Sequence, residues 1–101
     1  MIQDPFKLTQ LALRGFEGEM DKLTEQLAGA MEGDHADLGA AALHVMKGLA
    51  GMIGAERLAS LAAEAEQRLK SGAPERWLGM EQLLAEAALA VQAAGAEASG
   101  V

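Results

Sequence analysis

The chain has almost nothing to build a sheet with. Only seven of its 101 residues are β-branched (three Val, two Ile, two Thr), and 3% are aromatic. Those are the side chains that suit a pleated, half-buried surface. Ala and Leu dominate instead, and both are strong helix formers. Half of the residues are apolar, enough to bury one core at this length and not two. The expectation is an all-α protein with residues 1–101 as a single domain.

Four runs carry helical periodicity. Asp4-Pro5 opens the first: Asp can cap orphan amides, and Pro at the first helical position lacks the amide that would go unpaired. Phe6, Leu13, Phe16, Met20, Leu23 and Leu27 then recur at threes, fours and sevens. Gly15 and Gly18 each weaken that run by about 1 kcal/mol relative to Ala. A short leading helix before a longer one and a single unbroken rod therefore both stay open. Gly33 supplies a stop and Asp34 a cap for the second helix, from about His35 to Ile53, with Leu38, Ala42, Val45, Leu49 and Met52 on its apolar stripe. Gly54 breaks it, and Ala55-Glu56-Arg57-Leu58 opens the third. That helix carries Leu58, Leu61, Ala62, Ala65 and Leu69 inward and stops at Ser71-Gly72. Pro74 starts the fourth, with Trp77, Leu84, Ala88 and Val91 on its stripe and Met80 and Leu83 beside it. Short connections make consecutive helices antiparallel. The expected architecture is an antiparallel four-helix bundle, with or without a short extra N-terminal helix. The ends, 1–3 and 96–101, are expected to fray.

Charge narrows the function classes. Fifteen acids against eight bases give a net charge of −7, and a field of that sign repels phosphate backbones and anionic lipid. Nucleic acid and membrane surfaces are set aside as partners. With no Cys, there is no disulfide, thiolate metal site or thiol nucleophile. The opening residues do not read as a signal peptide. The longest apolar stretch, Leu38 to Gly54, is interrupted by His44 and Lys47 and falls short of the roughly 20 apolar residues of a membrane span. A cytoplasmic location is expected.

Several features have plain structural readings. His35 with Asp34 and Asp37 could be drawn as a metal site, but three ligands on one turn without a fourth read better as helix capping, and no metal is assigned. Met20, Met52 and Met80 fall on core stripes as gap fillers. Trp77 reads as a core or end-capping anchor, and Glu17, Glu19, Asp21 and Glu25 as a solvated face.

The second helix carries a further stripe. At about 100° per residue, His44, Lys47, Gly48 and Gly51 lie together, turned roughly 130° from the expected core direction, and Ala40 and Ala55 extend the strip. A mid-helix Gly costs about 0.5–1 kcal/mol relative to Ala, and the core pattern asks for none at 48 or 51. Glycine on an exposed face lets another surface approach the backbone. Lys47, at i+3, is within reach of the imidazole. A neutral, exposed imidazole offers a nucleophilic ring nitrogen. If it accepts a phosphoryl group, Lys47 supplies the cation, and a carboxylate or amide on the facing helix, Glu66 or Gln67, can orient the ring. The bland alternative is a surface His beside a surface Lys.

His44-Val45-Met46-Lys47-Gly48-Leu49-Ala50-Gly51-Met52-Ile53-Gly54-Ala55 resembles the active-site helix of histidine-containing phosphotransfer (HPt) domains. Their motif is His-x-x-Lys-Gly, then small residues, then an aliphatic-Gly pair that turns into the next helix. The close resemblance spans Leu43 to Ser71; beyond it only length and helix count agree. Leu43 and Leu49 depart from the small residues that family members often carry there. The resemblance implies a phosphorelay protein without kinase activity of its own, and no Gly-rich nucleotide-binding segment is visible. His44 would be the phosphoacceptor, Lys47 the charge support, and Gly48 the residue that keeps the histidine accessible. Glu66 would orient the imidazole, in preference to Gln67. Gly48, Gly51, Ala40 and Ala55 would form the receiver-docking strip.

The implied partners are a response-regulator receiver domain and a sensor histidine kinase. Mg²⁺ would be brought by the receiver or kinase, and this chain would hold no cofactor. A monomer is favoured over a homodimer, and a stand-alone protein over a domain of a larger chemotaxis-type kinase. The alternative function is a non-phosphorylated module of the same shape that docks on a kinase or receiver and inhibits it.

Overall fold

Four helices follow one another in the structure, a computed structural model that describes residues 5–72 and 74–99 and the side chains of 15–72 and 74–95. They are α1 (Pro5–Gly33), α2 (Ala36–Met52), α3 (Glu56–Ser71) and α4 (Met80–Ser99). Each packs against its neighbours in the chain, α1 also packs against α4, and among the described residues the diagonal pairs stay apart. The all-α four-helix bundle expected from the sequence is the fold.

α1 runs unbroken through Gly15 and Gly18, so among the described residues there is no separate leading helix. Phe16, Met20, Leu23, Leu27 and Ala30 are buried, as their spacing predicts. Asp4 and the chain ends at 1–3 and 100–101 lie outside the described residues, as do the side chains of Phe6 and Leu13. The backbone at 96–99 is helical.

Two connections use the same device. At the end of α1, Asp34 N–H donates to the Met31 carbonyl (3.2 Å) and His35 N–H to the Ala30 carbonyl (2.8 Å). After α2, Gly54 N–H donates to Gly51 (3.3 Å) and Ala55 N–H to Ala50 (2.8 Å). This paired pattern satisfies helix-end carbonyls through one left-handed residue. Gly54, at φ 79°, adopts that conformation without the Cβ penalty. At the first corner Asp34 occupies it at φ 56°, which corrects its expected role. Asp34 does not cap α2. His35 is the N-cap residue and makes no side-chain cap bond, while the Asp34 carboxylate accepts from Arg76 Nε (3.0 Å) and Trp77 Nε1 (2.8 Å). Those bonds, Arg76 first, hold the Asp34 carboxyl below its ordinary pKa.

The buried face of α2 is turned by one residue position from the expected one, so that of the expected stripe only Ala42 is buried and Leu49 packs against the core. Leu38, Val45 and Met52 are exposed, Met52 by 82%, whereas Gly39, Ala42, Leu43, Met46 and Ala50 are buried. Bulk misled the periodicity here. The core prefers the flatter stripe because Gly39, Ala42 and Ala50 let neighbouring elements come close, and Leu43 and Met46 fill the space between. Ala40 turns inward with them at 8% exposure, so it does not belong to the open strip. Met52 is likewise no core filler; Met20, Met46 and Met80 are.

Helix four also begins later than Pro74. Residues 74–79 form turns, with Leu78 N–H on Glu75 and Met80 N–H on Trp77. Arg68 of α3 donates to the Leu78 carbonyl at 2.7 Å, and Gly79 stands at φ 80°, which ends any helix started upstream. Met80, Leu83, Ala87 and Ala94 are buried, Leu84 and Val91 are half-buried, and Ala88 is exposed. Trp77 therefore anchors the connection rather than the helix. Its ring lies over Gly39, where an added Cβ would come within 2.9 Å of Cη2. Gly39→Val is expected to lower stability by about 1–2 kcal/mol, overpacking outweighing the gain in helix propensity. Urea unfolding followed by Trp77 emission measures this.

Candidate functional site

Among the described residues, Glu66 is the charged side chain that the bundle buries, at 3% exposure. The reason lies in α3. Leu58, Ala62, Ala65 and Leu69 form its buried stripe, and Glu66, four residues after Ala62, sits at the stripe's edge in the seam with α2. A buried carboxylate is costly unless it is paired and hydrogen-bonded. Glu66 has three partners. His44 Nδ1 lies 3.1 Å from Oε2, Lys47 Nζ 3.2 Å from Oε1, and Lys70 Nζ 2.9 Å from Oε2.

Those cations set its charge. The Lys70 ammonium is the largest influence on the Glu66 carboxyl; burial pushes the other way, and Lys47 adds to Lys70, leaving a pKa of about 2 against the ordinary 4.5. Because the folded pKa is depressed, the unfolded chain binds more protons between these values, and stability rises with pH there. The contribution is complete above 4.5 and lost as pH falls toward 2. Glu66→Gln removes this titration, so its melting temperature should fall less steeply than wild type across that window. Equal slopes in a thermal-melt series would contradict the assignment.

An ionised carboxylate can only accept a hydrogen bond. Nδ1 of His44 therefore carries the proton it donates to Oε2, and in the neutral ring Nε2 is the nitrogen with the lone pair. The His44 side chain is 68% exposed, so that lone pair faces outward. The surrounding surface is open. Gly48 and Gly51 are exposed, and a Cβ at either would meet nothing within 4 Å; no internal packing calls for a glycine there. On a helix, His44, Val45, Gly51 and Met52 are the i−4, i−3, i+3 and i+4 neighbours of Gly48. The clearing thus joins the imidazole to the exposed apolar strip of Leu38, Val45 and Met52.

The structure brings His44, Lys47 and Glu66 together as one cluster. Gln67 is exposed, one residue around the helix from Glu66 and outside the cluster. Ala55 is half-buried as the residue before α3. Leu43 is buried and Leu49 packs against the core, so neither obstructs the imidazole. Lys70 is the residue that sequence reasoning missed. Its signal was a Glu-to-Lys pair at i,i+4 on α3, Glu66 and Lys70, the favourable orientation on a helix.

Chemically, the cluster is an exposed imidazole with Nδ1 held by a carboxylate and two ammonium groups on that same carboxylate. Such a set suits attack on an electrophile that leaves an anionic group on nitrogen. Among the described residues, no three His, Asp or Glu side chains converge as metal ligands, and no helix is long and apolar enough to cross a membrane.

No curated protein and no solved structure matches the chain. A family model does: that of the Hpt domain, over residues 12–95. The match spans most of the bundle and includes every member of the Glu66 cluster. With a histidine whose distal nitrogen is open, a glycine clearing beside it and four helices in sequence, the chain belongs to the Hpt domain family, the phosphocarrier modules of two-component signalling.

Proposed function

We propose that this protein is a histidine phosphotransfer intermediate that takes a phosphoryl group on His44 Nε2 and passes it to a receiver aspartate. The donor is a receiver aspartyl-phosphate or a sensor histidine kinase. Nε2 attacks phosphorus, the bond from phosphorus to the donor breaks, and Nδ1 keeps its proton on Glu66. Transfer onward reverses the geometry, with the receiver carboxylate as nucleophile and the imidazole as leaving group. Mg²⁺ and the acidic pocket belong to the partner. This chain contributes positioning and charge, which supply most of the catalysis in phosphoryl transfer.

The observation that carries this reading is the ionised Glu66 carboxylate against Nδ1, because in the neutral ring it holds the proton there and leaves Nε2 as the lone-pair nitrogen. The docking face is the clearing at Gly48 and Gly51 with Val45 and Met52 beside it. It continues into the apolar groove between α1 and α2 lined by Leu38, Ala41 and Gly29. A purely inhibitory module would need such a face but not the Glu66 cluster, and the cluster favours the carrier.

Incubation with a phosphorylated receiver or an autophosphorylated kinase tests the proposal. Wild type should acquire acid-labile, base-stable phosphate, and His44→Gln should acquire none. A donor that binds tightly without labelling wild type would replace the carrier reading with inhibition.

A further inference from the structure

We propose that Lys70 is a positioning residue for phosphotransfer: by neutralising Glu66 from α3 it releases Lys47 to the phosphoryl group on His44. The inference rests on the carrier reading and assigns a division of labour between two lysines that share one carboxylate.

The argument begins with charge. Two ammonium groups meet one carboxylate, and with neutral His44 the cluster carries one surplus positive charge on a chain whose net charge is −7. Were Lys47 the sole cation, it would be needed where it stands, since a buried carboxylate stripped of its partner is strongly disfavoured. The phosphoryl group, arriving with roughly two negative charges, would then face Glu66 with no cation to spare.

Position decides which lysine stays. Lys70 follows Glu66 by one helical turn on α3 and holds Oε2 at 2.9 Å. Lys47 follows His44 by three residues on α2, holds the other oxygen at 3.2 Å, and shares the helix face of the imidazole. Lys47 can therefore turn to a group on Nε2 while Lys70 keeps Glu66 paired. Glu66 in turn keeps its hold on Nδ1–H, so the tautomer is preserved as the charge moves.

The purified full chain tests this with phosphoramidate, a small donor that bypasses docking. Nε2 attacks its phosphorus, the P–N bond breaks, ammonia leaves and the new N–P bond forms. Lys70→Gln is expected to slow labelling about tenfold, the scale of losing a charge-assisted hydrogen bond, and Lys70→Arg to stay within about twofold of wild type. The deciding comparison is made in Glu66→Gln, whose neutral amide accepts from Nδ1 and needs no cation. There Lys70→Gln should change the rate by less than about twofold, as expected when coupling between the two sites is removed. An equal loss in both backgrounds would mean that Lys70 acts directly on the phosphoryl group, and no loss in either would mean that it has no part; both overturn the proposal.

A second readout needs no donor. In unphosphorylated Lys70→Gln, the Lys47 ammonium should become more ordered by ¹⁵N relaxation, because it alone then holds Glu66. Unchanged Lys47 mobility would also overturn the proposal. If wild type takes label neither from phosphoramidate nor from any protein donor while Lys47 tightens as expected, the carrier reading fails and the pairing of the two lysines stands.

Discussion

Glu66→Ala should slow phosphorylation of His44 roughly ten- to a hundredfold, the range seen when a group that orients a reactive side chain is removed. Three losses combine. Nδ1 loses its acceptor, so the ring proton is free to move to Nε2 and occupy the lone pair that must attack. The ring loses its tether, and at 68% side-chain exposure little else holds its rotamer. Lys47 and Lys70 lose the carboxylate that gathers them and turn to solvent. Glu66→Gln keeps the acceptor and should stay within about threefold of wild type if ring orientation is the dominant part. Labelling with phosphoramidate separates the outcomes, and Ala and Gln variants of equal rate would show that the Nδ1 contact is idle.

Gly48→Leu should stabilise the free protein and still disable it as a partner. A mid-helix Gly costs about 0.5–1 kcal/mol relative to good helix formers, and a Cβ at 48 would meet nothing within 4 Å. The melting temperature should therefore rise. Outside the bundle the same side chain stands one turn from His44, where a receiver must bring its aspartate within bonding distance of Nε2. A misplacement of about 1 Å can cost on the order of a hundredfold in rate, and a leucine displaces the partner by more. Transfer from a phosphorylated receiver should fall at least that far, with phosphoramidate labelling almost unchanged. A variant slowed equally with both donors would place the role of Gly48 in the chemistry rather than in access.

The exposure of His44 was legible even though the core face of α2 was misplaced, and the geometry explains why. At 100° per residue, the expected stripe through Leu38, Ala42, Val45, Leu49 and Met52, the observed one through Gly39, Leu43, Met46 and Ala50, and His44 itself point in three directions roughly 120° apart, with Ala42 and Leu49 on the side of the expected stripe that meets the core. An imidazole that far from either stripe faces solvent whichever of them is buried. The stripe was misread because hydrophobic bulk ordinarily marks a core, and here Leu38, Val45 and Met52 are exposed. On α1 and α3 bulk and burial coincide, so Phe16 to Leu27 and Leu58 to Leu69 were readable directly. The start of α4 was not, because the left-handed turn at Gly79 and the hold of Arg68 on Leu78 are tertiary facts that outweigh the helix-start signal of Pro74. Ala40 entered the expected docking strip through the same one-residue error. Lys70 escaped notice for another reason: its partner's burial, which turns an ordinary surface pair into part of a site, depends on how α2 and α3 meet.

The account turns on which nitrogen of His44 reacts. In ¹⁵N-labelled protein phosphorylated to completion, a one-bond ¹⁵N–³¹P coupling should appear on Nε2 of His44, while Nδ1 retains a proton bonded to Glu66. Phosphorus coupled to Nδ1, or a stable phosphoryl group on any other residue, would contradict it.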